Sequence, residues 1–495
     1  MSARRSVAVS GILDALRDAG LFVASHGTLP EAITDVVDDS RGVTPGAAFV
    51  AVKGSAQDGH AWLPAAAAAG AGMALVEAEN ATGLPCVMVR DGRRAASVVA
   101  SAFHGWPARA LSIVGVTGTN GKTTTVGLLR SLLDRPGAPA ASIGTLGVLL
   151  GAAGEAFPGG SGLTTPGPVE LQRVLAALVA RGVATVAMEV SSHSLDQRRV
   201  DGVSFAVAVF TNLTRDHLDY HGSMDEYRRA KLRLLGLLAT DGVAVRNADD
   251  EAWANIDSPR SLSFGVQSAA DVTARDLQFT PQGSQFMLVA PTGALPVTLP
   301  LLGDFNVANA LAAASAALAL GHSISDIAAG LNSAPQVPGR LELLHTEPTV
   351  LRDYAHTPDA LERALGAVRP FTGGDAGSRL IVVFGCGGDR DRGKRPEMGR
   401  VAEALADTVV LTSDNPRTED PERILDDIAA GMRSREHTRI EDRRAAIAHA
   451  LSIAAPHDVV LLAGKGHETY QIRGTTSFPF DERQIVRELT TAAVT

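Results

Sequence analysis

The sequence predicts an α/β protein of three domains: a small N-terminal α/β domain, a central domain with a parallel sheet covered by helices, and a C-terminal Rossmann-like, doubly wound domain. The chain has 495 residues, enough for about three domains of ~150 residues each. Short apolar runs alternate with helical patterns, as in parallel sheets covered by helices. Polar motifs follow several strands, where doubly wound sheets bind ligands. We place the domains at residues 1–108, 109–337 and 338–495.

Composition narrows the class of protein. Hydrophobic residues make up 45% and aromatic residues 4% of the chain, and the net charge is −9. This profile is typical of an α/β enzyme and argues against nucleic-acid binding. No apolar run is long enough to span a membrane. Cys86 and Cys386 offer neither a disulfide framework nor zinc spacing, so we expect a cytoplasmic location. Asp14, Arg17 and Asp18 interrupt any signal-peptide core, and the N-terminal pattern favours a short amphipathic helix.

The elements follow from apolar runs between turn residues. In the N-terminal domain, short strands are predicted at 36–37, 47–52, 73–76 and 86–89, with a helix near 65–69. In the central domain, strands are predicted at 111–116, 183–188 and 205–210, and helices at 224–238 and 306–320. The segment 135–168 is rich in Gly and Pro, so we expect a functional loop there. In the C-terminal domain, strands at 349–354, 379–385, 408–412 and 458–463 alternate with helices at 358–368, 397–405, 422–432 and 443–454.

A glycine-rich loop, residues 115–124, lies between the strand at 111–116 and a helix that begins near Val126. Glycines let backbone N–H groups surround phosphate oxygens, and the helix N-terminus adds positive potential. Lys122 would reach the β- and γ-phosphates, and Thr123 would bind magnesium. Val116 replaces the first glycine of the strict Walker pattern, so this is a variant loop. The candidate nucleotide-binding residues are Gly118, Thr119, Asn120, Gly121, Lys122, Thr123 and Thr124. The order of strand, loop and helix predicts a P-loop ATPase-type domain, with kinase, ATPase and ligase still open.

Two further polar groups follow strands of the central domain. Glu189 ends the strand at 183–188, and His217 lies in the polar segment after the strand at 205–210. A carboxylate and an imidazole near a triphosphate suit magnesium binding. Either residue could equally be an ordinary polar group at a strand end. Lys231 has the pattern of a solvated helix lysine, and spacing gives it no special role.

The stretch SDNPR, residues 413–417, follows a buried strand. Pro416 fixes its own φ and pushes Asn415 out of the helical region, which predicts a turn. Arg417 after this turn is either a solvated loop arginine or a clamp for a substrate carboxylate, since its planar fork binds carboxylates bidentately.

As an ordered set, the motifs resemble the Mur ligases of bacterial cell-wall synthesis. The resemblance covers nearly the whole chain and rests on TGTNGKTT, LTTP, EVSSHSL, TNLTRDHLDYHG, LLGDFNVANALAA, VPGRLE, DYAHTPDAL, FGCGGDRDRGKRP, TSDNPRTEDP and GKGHETYQI. It is closest to the branch of the family that adds the third residue of the stem peptide.

The resemblance implies an ATP- and Mg²⁺-dependent amide ligase in peptidoglycan precursor synthesis. ATP would phosphorylate the D-glutamyl carboxylate of UDP-N-acetylmuramoyl-L-alanyl-D-glutamate. The amine of meso-diaminopimelate would then attack the acyl phosphate, with loss of phosphate. We expect a monomer in the cytoplasm with no nucleic-acid or membrane partner.

The resemblance also implies roles for particular residues. Lys231 matches a lysine that is carbamylated in the family, and with Thr123, Glu189 and His217 it would hold magnesium. Lys122, Glu189, His217 and Lys231 would carry the chemistry. The adenine and ribose side would use Asn306, Asn309, Arg340, Asp353 and His356. The uridine and muramoyl-dipeptide side would use Asp38, Ser40, Ser55, Ala56, Gln57, Thr164, Thr165, Ser191, Gln197 and Arg199. The amino-acid side would use Arg390, Asp414, Asn415, Pro416, Arg417, Gly464 and Glu468.

On this interpretation Arg417 binds the distal carboxylate that distinguishes diaminopimelate from lysine, whose ammonium it would repel. Glu468 would pair with the distal ammonium. Two alternatives remain. Another amide ligase of the superfamily, such as a folylpolyglutamate synthetase or a neighbouring Mur enzyme, is disfavoured by the first domain and by DNPR. A non-catalytic nucleotide-binding protein is disfavoured by the presence of Lys122, Glu189, His217 and Lys231.

Overall fold

The computed structural model describes residues 6–54, 57–78, 82–160, 162–280, 283–372, 377–434 and 436–492. They divide into two compact units. The first holds the chain up to Phe264, with Ser268–Asp271 and Ala312–Ser323. The second holds Gly265–Gln267, Val272–Leu311 and the chain from Ile324 onward. Across the described ranges, no helix is both long and apolar enough to cross a membrane.

The N-terminal part of the first unit is a small α/β layer. Its strands are β1 (Val7–Ala8), β2 (Phe22–His26), β3 (Ala32–Ile33), β4 (Val36–Val37), β5 (Ala48–Val50), β6 (Met73–Val76) and β7 (Cys86–Val89), and its helices are α1 (Val9–Asp18), α2 (Leu63–Ala68) and α3 (Gly92–His104). The sheet order is β2-β7-β6-β5-β4, and β1 pairs with β3. Helix α1 buries Val9, Ile12 and Leu16 on one face, which confirms the amphipathic pattern. Asp91 caps α3 at its start, and Gly105 ends it in the left-handed conformation.

The central part of the chain alternates strands and helices. The strands are β8 (Ser112–Thr117), β9 (Ala140–Gly144), β10 (Gly147–Leu150), β11 (Glu155–Phe157), β12 (Thr185–Glu189), β13 (Phe205–Phe210), β14 (Leu238–Asn247), β15 (Ser261–Gly265), β16 (Val272–Thr280), β17 (Gly283–Ala290) and β18 (Gly293–Leu299). The helices are α4 (Lys122–Leu133), α5 (Pro168–Ala180), α6 (Ser192–Asp196), α7 (Leu218–His221), α8 (Met224–Leu232), α9 (Asp304–Ala319) and α10 (Ile324–Asn332).

In the first unit these strands lie in the order β11-β10-β9-β12-β8-β13-β14-β15. Strand β8 pairs in parallel with β12 and β13, so the carboxyl ends of all three meet at one edge. Helix α5 packs on α3, and Ser97 Oγ donates to the Arg198 carbonyl at 2.7 Å. The N-terminal layer therefore lies against the central sheet within the same unit.

Three expectations for the central part differ in detail from the structure. The segment 135–168 contains β9, β10 and β11 and is not one loop. Its glycines and prolines mark the turns, while β9 is fully buried with the sequence AASIG, which has low intrinsic β-propensity. The predicted parallel pattern also misses the antiparallel hairpins of β16, β17 and β18. The helix predicted at 224–238 ends at Leu232 and continues as a 3₁₀ turn, Arg233–Leu237.

The C-terminal part of the second unit confirms the doubly wound prediction. Its strands are β19 (Glu342–Thr346), β20 (Thr349–Asp353), β21 (Leu380–Phe384), β22 (Thr408–Leu411), β23 (Thr438–Arg439), β24 (Val459–Ala463), β25 (Tyr470–Arg473) and β26 (Thr476–Pro479). Its helices are α11 (Pro358–Val368), α12 (Lys394–Leu405), α13 (Pro421–Ala429), α14 (Arg443–Ile453) and α15 (Glu482–Ala492). The sheet order β19-β20-β24-β21-β22-β23 places apolar clusters on both faces.

Candidate functional site: a phosphate loop and an amino-acid pocket

The glycine-rich loop lies between β8 and α4 and is fixed by the segment that follows β13. Thr119 N donates to the Asn212 carbonyl at 2.7 Å, and Asn120 N donates to Asn212 Oδ1 at 2.9 Å. Gly118 has a φ of 150°, and a Cβ there would lie 1.9 Å from Thr211 Oγ1. Only glycine fits this approach, so the loop is preorganised before any ligand binds.

Two lysines converge on this loop. Lys122 Nζ donates to the carbonyls of Gly118 and Thr119 at 2.9 and 2.8 Å. Lys231 Nζ donates to the same Gly118 carbonyl at 2.7 Å and lies 4.4 Å from the centroid of the Tyr227 ring. Lys231 is only 1% exposed, so the prediction from sequence pattern of a solvated lysine was wrong. Burial, with repulsion from Lys122, lowers the pKa of Lys231 well below its usual value.

Glu189 lies at the end of β12, opposite Val116 in the register of β8. Its carboxylate accepts hydrogen bonds from Thr145 N at 2.9 Å and from Thr145 Oγ1 at 3.2 Å. Glu189 is 1% exposed, and a Cβ on Gly144 would lie 2.3 Å from its Oε1. The carboxylate is thus held rigidly at the sheet edge that carries the phosphate loop.

His217 caps α7 with a left-handed φ of 53°. Its ring lies 6.1 Å from the Tyr227 ring and 4.8 Å from the His193 ring. Partial burial lowers the pKa of His217, with the nearby Lys122 and Lys231 adding to the effect and Asp216 opposing it. Burial beside His217 and His221 lowers the pKa of His193 to about 4, so these imidazoles are neutral near neutral pH.

The predicted magnesium set is Thr123, Glu189, His217 and Lys231. Across the described ranges, no group of three or more His, Cys, Asp and Glu residues is placed to hold a metal ion. Glu189 supplies one carboxylate, whereas a free Lys231 ammonium would repel a cation. A carbamate on Lys231 would replace this positive charge with a negative one, which a magnesium site built from this set requires.

The residues predicted for the muramoyl dipeptide form a connected chain beside Glu189. Thr165 Oγ1 donates to the Glu189 carbonyl at 2.8 Å, and Ser191 N donates to Thr165 Oγ1 at 3.1 Å. Arg199 Nη1 donates to the Thr165 carbonyl at 3.1 Å, and its Nη2 donates to Gln197 Oε1 at 2.6 Å. Thr164 joins this chain through the hydroxyl of Thr145 at 3.3 Å.

The residues predicted for uridine lie in the N-terminal layer. Asp38 follows β4, and Ser40 begins the short 3₁₀ turn Ser40–Gly42. A Cβ on Gly167 would lie 3.7 Å from Asp38 Oδ2, which places Asp38 near the loop that carries Thr165. The Gln57 carbonyl accepts a hydrogen bond from Gly54 N at 2.9 Å. Ser55 and Ala56 lie outside the described residues.

The second unit carries the residues predicted for the adenine and ribose side. Asp353 Oδ2 accepts a hydrogen bond from Leu341 N at 2.7 Å, and burial raises the pKa of Asp353 to about 6 although Arg340 opposes the shift. The Arg340 guanidinium lies 4.7 Å from the centroid of the Tyr354 ring. His356 Nδ1 donates to the Tyr354 carbonyl at 2.8 Å. Tyr354 links the three predicted residues, although sequence reasoning did not single it out.

Asn306 and Asn309 lie in the first turns of α9 and are both buried. Asn306 Nδ2 donates to the Leu302 carbonyl at 2.7 Å, and Asn309 Nδ2 donates to Asn306 Oδ1 at 3.1 Å. This pairing orients both amides at the start of the helix.

The residues predicted for the amino acid meet where β22 and β24 end. Asn415 Nδ2 donates to Glu468 Oε2 at 2.9 Å, which joins the DNPR and GKGHE motifs. Gly464 has a φ of 112°, and a Cβ there would lie 3.2 Å from Asp414 Oδ2. Arg417 has a φ of 52°, and its Nη1 donates to the Gly388 carbonyl at 2.8 Å. Pro416 is buried, and a Cβ added to Gly388 would lie 1.8 Å from the Pro416 carbonyl oxygen.

Arg390 and Arg417 flank one glycine. A Cβ added to Gly387 would lie 3.0 Å from Arg417 Nη1 and 3.6 Å from Arg390 Cγ. Arg390 is exposed and Arg417 is partly buried. The two predicted arginines therefore lie on the same side of the sheet, at its carboxyl edge.

Lys465 is a residue of this pocket that sequence reasoning missed. Its Nζ is fully buried and contacts Asn415 Oδ1 and Glu468 Oε2, each at 3.1 Å, and Asp414 Oδ1 at 3.5 Å. The sequence feature that could have indicated Lys465 is its position in GKGHE, between the two predicted residues Gly464 and Glu468. Lys465 orients the polar groups of both motifs.

Together the fold and these residues define a class: an α/β protein with a nucleotide-phosphate loop in one unit and a charged pocket at the edge of a doubly wound sheet in the other. Family comparisons agree. The chain matches the Mur ligase middle domain over residues 116–317, the Mur ligase, glutamate ligase domain over 339–466, and the Mur ligase family, catalytic domain over 32–105. The chain belongs to the Mur ligase family.

Individual relatives extend over nearly the full length. The UDP-N-acetylmuramoyl-L-alanyl-D-glutamate--2,6-diaminopimelate ligase of Gloeobacter violaceus is 48% identical over 469 residues, which cover 92% of this chain and 93% of the relative. The enzyme of the same name from Geobacillus kaustophilus is 43% identical, with coverages of 94% and 96%. A solved structure of a ligase with this name has a TM-score of 0.67 and 34% identity, covering 94% of this chain and 96% of that one.

Proposed function

We propose that this chain is an ATP-dependent ligase that joins meso-diaminopimelate to UDP-N-acetylmuramoyl-L-alanyl-D-glutamate in peptidoglycan precursor synthesis. The full-length relatives bearing that activity in their names support the reaction. The structural observation that supports the choice of amino acid is the position of Arg417, a partly buried arginine with a left-handed φ. It follows Asn415, which bonds to Glu468, and it lies with Arg390 against Gly387. Such a pocket offers positive charge to a second carboxylate and negative charge to an ammonium.

The reaction proceeds in two steps through an acyl phosphate. A D-glutamyl carboxylate oxygen attacks the γ-phosphorus of ATP, and ADP leaves. The free amine then attacks the acyl carbon, loses a proton, and expels phosphate as the amide forms. Lys122 and the positive N-terminal end of α4 hold the phosphates in place. Magnesium, when bound, neutralises charge on the phosphate oxygens.

The residues around Glu189 orient the carboxylate substrate. Thr165, Ser191 and Arg199 form the hydrogen-bonded chain that ends at Glu189, so this chain would place the D-glutamyl group near the phosphate loop. Lys231 is carbamylated in the active enzyme, and its carbamate would hold magnesium together with Thr123, Glu189 and His217. The depressed pKa of Lys231 supports this, because only a neutral amine reacts with carbon dioxide.

The remaining assignments belong to the same proposal. Residues 1–108 bind the uridine nucleotide, 109–337 bind ATP, and 338–495 bind diaminopimelate. The protein works as a cytoplasmic monomer. Cys86 and Cys386 are both buried, and burial raises the pKa of Cys386 to about 12, so this thiol forms little reactive thiolate.

The test is phosphate release with ATP, magnesium and UDP-N-acetylmuramoyl-L-alanyl-D-glutamate, with meso-diaminopimelate or L-lysine as the second substrate. We expect turnover with diaminopimelate and little with lysine. The variant Arg417→Lys, which keeps the charge but loses the planar fork, should lose most of this preference. A wild-type preference for lysine would contradict the role of Arg417, and no turnover with either amine would contradict the ligase activity.

A further inference from the structure

Two loops carry the arginines of the amino-acid pocket. The loop after β21 contains Arg390, and the loop after β22 contains Arg417. Each loop has a non-glycine residue in the left-handed region, Asp389 with a φ of 53° and Arg417 with a φ of 52°. Such conformations are unfavourable for residues with a Cβ and persist only where surrounding contacts enforce them.

Hydrogen bonds between the two loops hold Asp389 and its neighbours in place. Thr418 Oγ1 donates to the Asp389 carboxylate at 2.9 Å, and Thr418 N donates to Asp389 Oδ2 at 3.1 Å. In return, Asp389 N donates to Glu419 Oε1 at 2.5 Å. Gly388 N donates to the Asn415 carbonyl at 2.9 Å. Asp389 is therefore held by the loop opposite. Arg417 is held by Gly388 through its side chain and by the β25 segment through its backbone, since Arg417 N donates to the Ile472 carbonyl at 3.1 Å and Gly474 N donates to the Arg417 carbonyl at 2.7 Å.

Glu419 is itself held by a buried arginine. Arg395, on α12, is 0% exposed and donates from Nη1 and Nη2 to the two Glu419 oxygens at 3.1 and 2.8 Å. Its Nη2 also reaches the Gly387 carbonyl at 3.3 Å, and Arg392 Nη2 lies 3.0 Å from Glu419 Oε2. The Arg395 hydrogen bonds lower the pKa of Glu419 to about 2, so Glu419 stays charged near neutral pH.

In this arrangement the carboxylates of Asp389 and Glu419, which lie in the two loops, already have hydrogen-bond partners. The Asp389 carboxylate bonds to Thr418, and the Glu419 carboxylate bonds to Arg395, Arg392 and Asp389 N. Within the part of the chain that the structure describes, Arg417 forms no ion pair, and its one side-chain hydrogen bond is from Nη1 to the Gly388 carbonyl. The guanidinium keeps its other N–H groups for a ligand.

We propose that Glu419, which is hydrogen-bonded to Arg395, is a positioning residue that sets the selectivity for diaminopimelate over lysine. It fixes the spacing of the Arg390 and Arg417 loops, and it keeps the chain's own carboxylates off Arg417, without touching the substrate. This inference rests on the proposed function. Without the contact, Asp389 and Glu419 are free to pair with Arg417 or Arg390, and they compete with the distal carboxylate of diaminopimelate.

The experiment compares wild type with Glu419→Gln, Thr418→Val and Thr418→Ser. Initial rates of phosphate release are measured against meso-diaminopimelate and L-lysine, with ATP and the UDP-linked substrate saturating. Glu419→Gln should raise KM for diaminopimelate about 10-fold or more and lower the preference over lysine by a similar factor. Its kcat and its KM for ATP should stay within about twofold of wild type. Thr418→Val should shift the same quantities by about 3- to 10-fold, while Thr418→Ser keeps the hydroxyl and behaves as wild type.

The matched control is Glu422→Gln. Glu422 pairs with Arg439 on the exposed side of α13 and is absent from the loop contacts, so its removal should leave KM for diaminopimelate unchanged. Unchanged KM and selectivity in both Glu419→Gln and Thr418→Val, with an active wild type, would overturn the inference alone. An equal rise in KM for ATP together with a lower melting temperature would also overturn it, because general loosening would then explain the effect. A wild type that neither turns over nor binds diaminopimelate by calorimetry would defeat the proposed function, and the inference with it.

Discussion

At the residue scale, Lys231 presents an unusual electrostatic arrangement. Its buried ammonium shares the Gly118 carbonyl with Lys122, so two positive charges lie close together in a region of low polarity. Burial and repulsion from Lys122 both favour the neutral amine of Lys231. Spacing in the sequence indicates an ordinary helix lysine, and only the resemblance to Mur ligases pointed to another role.

The first prediction concerns the carbamate on Lys231. Protein equilibrated with carbon-13-labelled bicarbonate at mildly alkaline pH should show a lysine carbamate signal by NMR, because the lowered pKa of Lys231 leaves more of its amine neutral. The variant Lys231→Arg should lack it, because a guanidinium does not form a carbamate. Lys53→Arg, which changes an exposed lysine, should retain it. A signal that survives in Lys231→Arg would contradict the assignment.

The second prediction concerns Asp353 and pH. Its folded-state pKa of about 6 exceeds the ordinary value of 3.8, so between these values the folded protein binds a proton that the unfolded chain has lost. Stability therefore falls as pH rises from about 4 through about 6. Asp353→Asn removes this cost, so its free energy of unfolding should exceed that of wild type by a margin that grows from about pH 4 and reaches about 3 kcal/mol at pH 7. Denaturant unfolding of both proteins without nucleotide, at several pH values, measures the difference. Parallel stability curves would contradict the prediction.

At the element scale, the phosphate loop depends on the segment after β13 as much as on its own glycines. Thr211, Asn212 and Thr214 bond to the loop residues Thr119 and Asn120. The strand–loop–helix order was predictable because it is local in sequence. The supporting contacts were not, because they join residues more than ninety positions apart.

The third prediction tests this packing with Gly118→Ala. The added Cβ would lie 1.9 Å from Thr211 Oγ1, so Thr211 or the loop must move. We expect binding of a non-hydrolysable ATP analogue to weaken by about 10-fold or more, measured by calorimetry. Gly366→Ala is the control. It lies within α11 with open space around its Cβ position, and it should be neutral or stabilising by up to ~1 kcal/mol. Equal affinities for Gly118→Ala and wild type would contradict the prediction.

At the scale of the whole molecule, the described chain divides into two compact units, each with its own apolar core. The second unit also contains a fully buried ion pair between Arg443 and Glu482, at 2.8 Å and 0% exposure for both side chains. Arg443 Nη2 donates to the Ala463 carbonyl at 2.9 Å, just before GKGHE. This pair therefore supports the strand end that carries the amino-acid pocket.

The fourth prediction is that Glu482→Gln destabilises the second unit selectively. Leaving Arg443 buried without its partner should cost about 3–5 kcal/mol. Hydrogen exchange should accelerate in peptides from residues 377–492, while peptides from 112–250 keep their protection. Glu488→Gln, which breaks the half-exposed pair with Arg444, should change stability little, because an exposed ion pair is screened by solvent. Uniform acceleration across both units would contradict the prediction.

The sequence by itself determined the α/β class, the phosphate loop and the order of the motifs. These depend on backbone propensity and on neighbours a few residues apart, and the periodicity of apolar residues reports both. It did not determine β9 to β11 or the antiparallel strands β16 to β18, whose pairing depends on distant partners. Only the tertiary structure brought Lys231 to Gly118, Lys465 to Asn415, and Arg395 to Glu419. Burial and long-range contact decide the charge and orientation of these side chains, and neither is encoded in local spacing.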